Sequence, residues 1–97
     1  MSVYLIAQLR IHDRGEYAKY EAGFMEIFEK SGGTLLSVEE EPQVLEGDWP
    51  FTRTVLLEFP TKAAAMGWYR SPAYQQLVQH RFNASEGNLI LIRSLGG

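Results

Sequence analysis

The chain has no cysteine, which removes disulfide bonds, thiolate metal ligation and thiol nucleophiles together. Long apolar runs are missing too. No segment approaches the roughly 18 consecutive apolar residues of a membrane-spanning helix, and the N-terminal MSVYLIAQLR has neither a basic leader nor a small-residue cleavage site. A cytoplasmic location is therefore the default expectation, with no membrane partner. Positive charge is sparse. Nine Lys and Arg stand against 12 Asp and Glu, the formal net charge is -3, and no basic cluster occurs, which argues against a nucleic-acid surface. The two histidines, His12 and His80, are not at ligand spacing, so no metal site and no cofactor is expected.

What remains is ordinary globular material: 45% hydrophobic and 22% charged residues in 97, which fits one domain over residues 1–97. The stretch Phe59 to Arg81 organises the rest. A strand ends at Phe59-Pro60, a short helix follows, and Ser71-Pro72 interrupts it and starts a second helical segment. Serine is a good N-cap and proline a good first helical residue, because its missing N–H would be unpaired there anyway. Beyond the break, Tyr74, Leu77, Val78, Arg81 and Phe82 recur at helical spacing.

The remaining elements follow from periodicity. Val3 to Ile11 alternates as a strand, with Val3, Leu5, Ala7, Leu9 and Ile11 on one side. Asp13 and Glu16 form a D-x-x-E helix start in which each side chain can satisfy a backbone donor. Tyr17, Tyr20, Phe24, Ile27 and Phe28 give that helix an aromatic face, and Gly32-Gly33 ends it. Thr34 to Glu40 reads as a second strand, Val44 to Glu46 as a short extended piece, and Gly47 to Pro50 as a turn. Arg53 to Phe59 is the third strand. Asn83 to Gly87 reads as a turn, and Leu89 to Ile92 as a fourth strand buried on both faces.

The order strand, helix, strand, strand, helix, strand is the split βαβ pattern of the α+β ferredoxin-like fold, a four-stranded antiparallel sheet with two helices on one face. Right-handed crossovers are expected to put the first and fourth strands in or near the sheet centre. The face away from the helices would carry Tyr4, Ile6, Leu56, Ile90 and Ile92, too apolar to be left wet. A second copy packed sheet to sheet, a homodimer, is the simplest cover.

Gly32-Gly33, Leu45-Glu46-Gly47-Asp48-Trp49, Arg53, Glu58-Phe59-Pro60, Trp68-Tyr69, Ser71-Pro72, Tyr74 and Arg81 together give a resemblance that spans nearly the whole chain. In these features the sequence resembles the domain-of-unknown-function family 1330 (DUF1330), of the dimeric α/β-barrel group. The resemblance implies a ferredoxin-like dimer of unassigned biochemistry.

The topology brings the end of the first strand, the start of the first helix, the start of the third strand and the end of the second helix to one pole. His12, Tyr17, Tyr20, Arg53 and Arg81 are expected to approach one another there. Trp68, Tyr69, Ser71 and Tyr74 should lie nearby on the broken helix, with Glu46 and Trp49 in the connection that could fold over. Two guanidiniums in an aromatic surround suit a small anionic ligand, held through a carboxylate or enolate. Tyr74 and Arg81, two turns apart on one face, are the catalytic candidates, since a positive neighbour eases phenol ionisation. Arg53, Tyr17, Trp49, Trp68, Tyr69 and Ser71 are the substrate-binding candidates. Each has a plainer role as well. The arginines would pair with Glu46, Glu58 or Glu86, the aromatics would fill the core, and Ser71 would cap its helix. Two function classes fit: a cofactor-independent enzyme acting on a small organic acid or polyketide-like substrate, or a non-catalytic small-molecule-binding or interaction module.

Overall fold

The structure is a computed structural model describing residues 2–96. Among those residues the elements run β1 (Val3–Ile11), α1 (Arg14–Phe28), a 3-10 turn (Glu29–Ser31), β2 (Thr34–Glu39), β3 (Arg53–Phe59), α2 (Lys62–Tyr69), α3 (Pro72–Ala84) and β4 (Ser85–Arg93). The strands form one antiparallel sheet in the order β2-β3-β1-β4, with the helices packed on one face. None of the described helices is long and apolar enough to cross a membrane.

Local chemistry sets most boundaries. Asp13 caps α1 by accepting from the Glu16 N–H at 3.0 Å. Glu16 does not return the bond. Its carboxylate instead meets His80 Nδ1 at 2.6 Å and Lys19 at 3.2 Å, tying α1 to α3. Gly32 takes the left-handed conformation, φ 82°, which glycine reaches without the steric cost of a Cβ. Thr61 and Ser71 cap α2 and α3, and Pro72 occupies the first turn of α3.

Three expectations are corrected. Residues Val44 to Glu46 are not one extended piece, because the chain bends at Leu45 and Glu46. There is no turn at Asn83 to Gly87, because α3 runs to Ala84 and β4 starts at Ser85. The Ala84 carbonyl accepts from both His12 N (2.9 Å) and Asp13 N (3.1 Å), so the reversal is stitched to the β1–α1 junction instead of being made by loop residues. Strand β4, finally, is neither near the centre nor buried on both faces. The β2–β3 hairpin returns β3 to the middle beside β1, which leaves β4 the outer edge of β1. Leu89 and Leu91 are half-buried toward the helices, while Ile90 and Ile92 remain 54% and 43% exposed on the other side.

Gly87 is required by proximity and not by a turn. It pairs with Leu9 across the β1–β4 ladder, and a Cβ there would lie 2.4 Å from Leu9 Cδ2 and 2.6 Å from the Gln8 carbonyl oxygen. The side chain can rotate away; the backbone oxygen cannot without breaking its strand. Gly87→Ala is expected to cost about 1–3 kcal/mol, the usual range for overpacking, read as a lower urea midpoint. An unchanged midpoint would show that the ladder yields at no cost.

The core lies between sheet and helices. Phe28, Phe59 and Trp68 are buried and meet one another with ring centroids 5.5–5.7 Å apart. Val78, Ala65 and Ala84 fill the gaps between elements, all fully buried. On the opposite face, Ile6 stands between Leu56 and Ile90 in one cross-strand row, and Tyr4 sits beside Ile92 in the next.

Candidate functional site

Between α1, α3 and the helix-facing side of the sheet lies a pocket of about 370 Å³. The sheet contributes Ala7 and Leu9 from β1, Leu35 and Val38 from β2, Arg53, Val55 and Leu57 from β3, and Leu89 from β4. Strand alternation puts these on one face, because every second side chain points the same way. A register shift between Leu35 and Ser37 realigns β2 so that Leu35 and Val38, three apart, both face inward. The helices contribute Tyr17, Tyr20, Glu21, Phe24 and Met25 from α1, Trp68 from α2, and Tyr74 and Arg81 from α3.

The closed end is built from buried residues: Tyr20, Tyr74, Trp68, Leu57 and Arg81. The mouth is framed by exposed ones, Glu21, Met25, Leu35 and Val38. At the closed end the hydroxyls of Tyr20 and Tyr74 share a hydrogen bond of 2.7 Å. The Arg81 guanidinium lies 5.7 Å from the centre of the Tyr20 ring and 5.2 Å from that of Phe82. Only 7% of Arg81 is exposed, yet no carboxylate of the described residues lies within ion-pair distance of it.

Arg53 is in a different situation. Its Nε donates to the Tyr17 hydroxyl at 3.2 Å, its Nη2 to Glu21 at 3.2 Å, and its Nη1 to Glu40. Glu40 also faces Arg14 at 3.6 Å. Arg53 thus clasps α1 to the end of β2, its charge met by two carboxylates.

Burial controls the acid–base character of the site. It pushes the phenols of Tyr17, Tyr20 and Tyr74 above their ordinary pKa, since the phenolate is the form that loses hydration. At Tyr74, Arg81 pulls the other way and does not win. Arg81 thus eases Tyr74 ionisation as expected, but burial outweighs it, and at neutral pH Tyr74 is a neutral phenol. Burial also opposes the charge on Arg81, but Tyr74 and Tyr20 favour it, and its pKa stays above the ordinary value. The guanidinium is a permanent cation.

The sequence brings together some candidates and not others. Tyr17, Tyr20, Arg53, Trp68, Tyr74 and Arg81 share this pocket. Tyr69 stands behind Tyr74, its ring centroid 5.7 Å away, without lining the pocket. Ser71 is occupied as a cap: its hydroxyl donates to the Trp68 carbonyl at 2.8 Å and accepts from the Tyr74 N–H at 3.2 Å. Trp49 donates to the Thr54 hydroxyl at 2.9 Å, and Thr54 alternates to the face of β3 away from Arg53 and Val55. His12 and Glu46 are exposed and do not line the pocket. The carboxylates paired with Arg53 are Glu21 and Glu40, in place of Glu46, Glu58 or Glu86; Glu86 pairs with Arg10. Both were findable. Glu21 follows Tyr17 by one helical turn, and the β2–β3 register pairs Glu39 with Thr54, which sets Glu40 opposite Arg53.

A family model described as "Domain of unknown function (DUF1330)" matches residues 2–95. No curated protein sequence matches the chain. Among solved structures, a protein of unknown function from Rhodopseudomonas palustris, RPA0582, is 22% identical with a TM-score of 0.79, over 97% of this chain and 82% of that one. A dimeric ferredoxin-like protein of unknown function from Jannaschia sp. CCS1 is 13% identical with a TM-score of 0.72, over 97% and 100%. SnoaB, a cofactor-independent oxygenase from Streptomyces nogalater, is 13% identical with a TM-score of 0.66, over 96% and 92%. At these identities the likeness carries the ferredoxin-like fold alone.

Proposed function

Because the chain belongs to the DUF1330 family, whose description names no activity, we propose a function from the pocket itself: it binds a small organic acid. One observation carries this reading. Arg81 is a permanent cation, buried at the closed end of an apolar pocket, and no carboxylate of the described residues is placed to pair with it. Burying a charge is costly unless a partner meets it, so the site is complete only with an anion in place. The Tyr20–Tyr74 hydroxyl pair, one O–H of which is spent on the bond between them, leaves one neutral donor beside it. The test is incubation of the purified protein with a pool of carboxylic acids, followed by native mass spectrometry. A retained carboxylate is the expected result; no retention at millimolar concentration would overturn the reading.

A second reading is catalytic: a cofactor-independent enzyme acting on a small organic acid or polyketide-like substrate. Its support is the Tyr20–Tyr74–Arg81 cluster within the pocket, together with the fold shared with SnoaB. In such an enzyme Arg81 would stabilise a developing enolate or carboxylate, and Tyr74 would donate to it as a neutral phenol. The same incubation separates the readings, because a binding module returns its ligand unchanged and an enzyme returns a new mass.

The assembly we propose is a homodimer through the outer sheet face. The row Ile6, Leu56 and Ile90, flanked by Tyr4 and Ile92, is an apolar patch on a sheet, and the Jannaschia relative in fold is described as dimeric. A stable interface there should bury more than roughly 1,000 Å². Light scattering at micromolar concentration is expected to give twice the 11.0 kDa chain mass; a monomer would sink the proposal.

A further inference from the structure

The organic-acid reading leaves open which acids the pocket accepts, and the placement of charge around it narrows the choice. Two cations line the pocket. Arg53 is already met by Glu21 and Glu40, which leaves Arg81, at the closed end, as the charge open to a ligand. Arg53 apart, the sheet side of the pocket is apolar throughout, with Leu57 at the closed end, Leu35 and Val38 at the mouth, and Leu9, Val55 and Leu89 along the wall. The mouth carries a carboxylate of its own, Glu21, whose side chain is 51% exposed.

We infer that the pocket selects amphipathic monocarboxylates, taken up acid-first onto Arg81 with an apolar body lying along the β2 and β3 side chains, and that it rejects dicarboxylates of the same length. This rests on the organic-acid reading and adds an orientation and a selectivity to it. A single carboxylate meets the uncompensated guanidinium, and an alkyl or aryl body replaces water against the leucine and valine walls, which is favourable in proportion to the apolar area covered. A second carboxylate has no such place. Deep in the pocket it would be desolvated against aliphatic side chains. At the mouth it would stand beside Glu21 as a like charge, with Arg53 already engaged. The corresponding alcohol keeps the apolar contacts and forfeits the charge-assisted bond to Arg81. Arg53 is on this account a clasp that shapes the mouth, and Arg81 is the anchor.

The experiment uses three probes of one chain length, octanoate, octanedioate and octan-1-ol, titrated into the natural protein by calorimetry, with indole fluorescence as a second readout because Trp68 lines the pocket. Octanoate is expected to bind about tenfold or more tightly than either of the others, the scale set by one unpaired buried charge. Glu21→Gln, a change at an exposed position, is expected to narrow the gap by tightening octanedioate. If octanoate itself fails to bind, the organic-acid reading falls and takes this inference with it. If octanoate and octanedioate bind alike, the organic-acid reading stands and the monocarboxylate preference is overturned. A gap that keeps its full width in Glu21→Gln overturns the part assigned to that carboxylate.

Discussion

Trp68→Ala is expected to destabilise the folded chain by about 3–5 kcal/mol, the range for deleting a buried aromatic side chain. The indole is 6% exposed and meets Phe24, Phe28, Phe59, Tyr69 and Tyr74, with ring centroids between 4.2 and 6.4 Å away. Those rings come from α1, β3, α2 and α3, so the hole left behind borders four elements and cannot close by the shift of one. Against a total stability of about 5–15 kcal/mol for a domain, the loss would leave the variant marginal. The chain is near 100 residues, where each kcal/mol moves the melting point by roughly 4–8 °C. One detail refines the expectation. The indole Nε1 is buried without a hydrogen-bond partner, and an unmet donor costs about 1–3 kcal/mol. Trp68→Phe removes that donor while keeping a ring, so it should lose much less than the alanine variant. Urea unfolding of both proteins checks the pair; a loss under about 1 kcal/mol for Trp68→Ala would show that the cluster repacks.

Arg81→Met should separate stability from binding. A guanidinium taken out of water without a carboxylate opposite it carries a desolvation cost of several kcal/mol. Its contacts with the Tyr20 and Phe82 rings return about 0.5–2 kcal/mol each. Methionine keeps most of the volume and none of the charge, and exchanging a buried ion for an apolar residue of similar size is often neutral or stabilising. The variant is therefore expected to melt no lower than the natural protein, while its affinity for octanoate falls by about tenfold or more, the worth of a charge-assisted contact. Thermal unfolding and calorimetry on the same sample decide the matter. A protein that melts many degrees lower and still binds the acid would make Arg81 a structural cation.

Much of the fold could be read from short-range chemistry. Asp13, Ser71-Pro72 and Gly32 each act within a few residues of where they stand, and the helix starts and the helix end fall where they do. The strand Arg53–Phe59 was legible from alternation alone. Long-range facts were harder to reach. Gly87, four residues after Asn83, reads as a turn, because a glycine that fits under Leu9 looks the same in sequence as one that bends the chain. Edge and centre look alike for Leu89 to Ile92, since an aliphatic run says that both faces meet something apolar without saying whether it belongs to the same chain. The pocket was half legible. Helical spacing puts Tyr17 with Tyr20 and Tyr74 with Arg81, and topology brings the two pairs and Arg53 to one end of the fold. The Arg53 partners depend on the rotation of α1 and the β2–β3 register, and Trp49, in a connection that could fold over the pole, is held instead to Thr54 by its hydrogen bond.

Helix α3 enters β4 at Ala84-Ser85 with no residue to spare, and the Ala84 carbonyl is held by two N–H groups of the β1–α1 junction. A joint without slack transmits displacement. Arg81 stands one turn before it, and Ile90 and Ile92 stand a few residues after it on the outer sheet face. Helix and strand should therefore behave as one lever, and their amide protons should exchange with solvent at a shared opening free energy, as a single cooperative unit. Covering the isoleucines with a second subunit would then slow exchange along α3 as well as β4, and filling the pocket at Arg81 would slow it in the strand. By thermodynamic reciprocity, ligand and subunit would each tighten the other's hold on the chain.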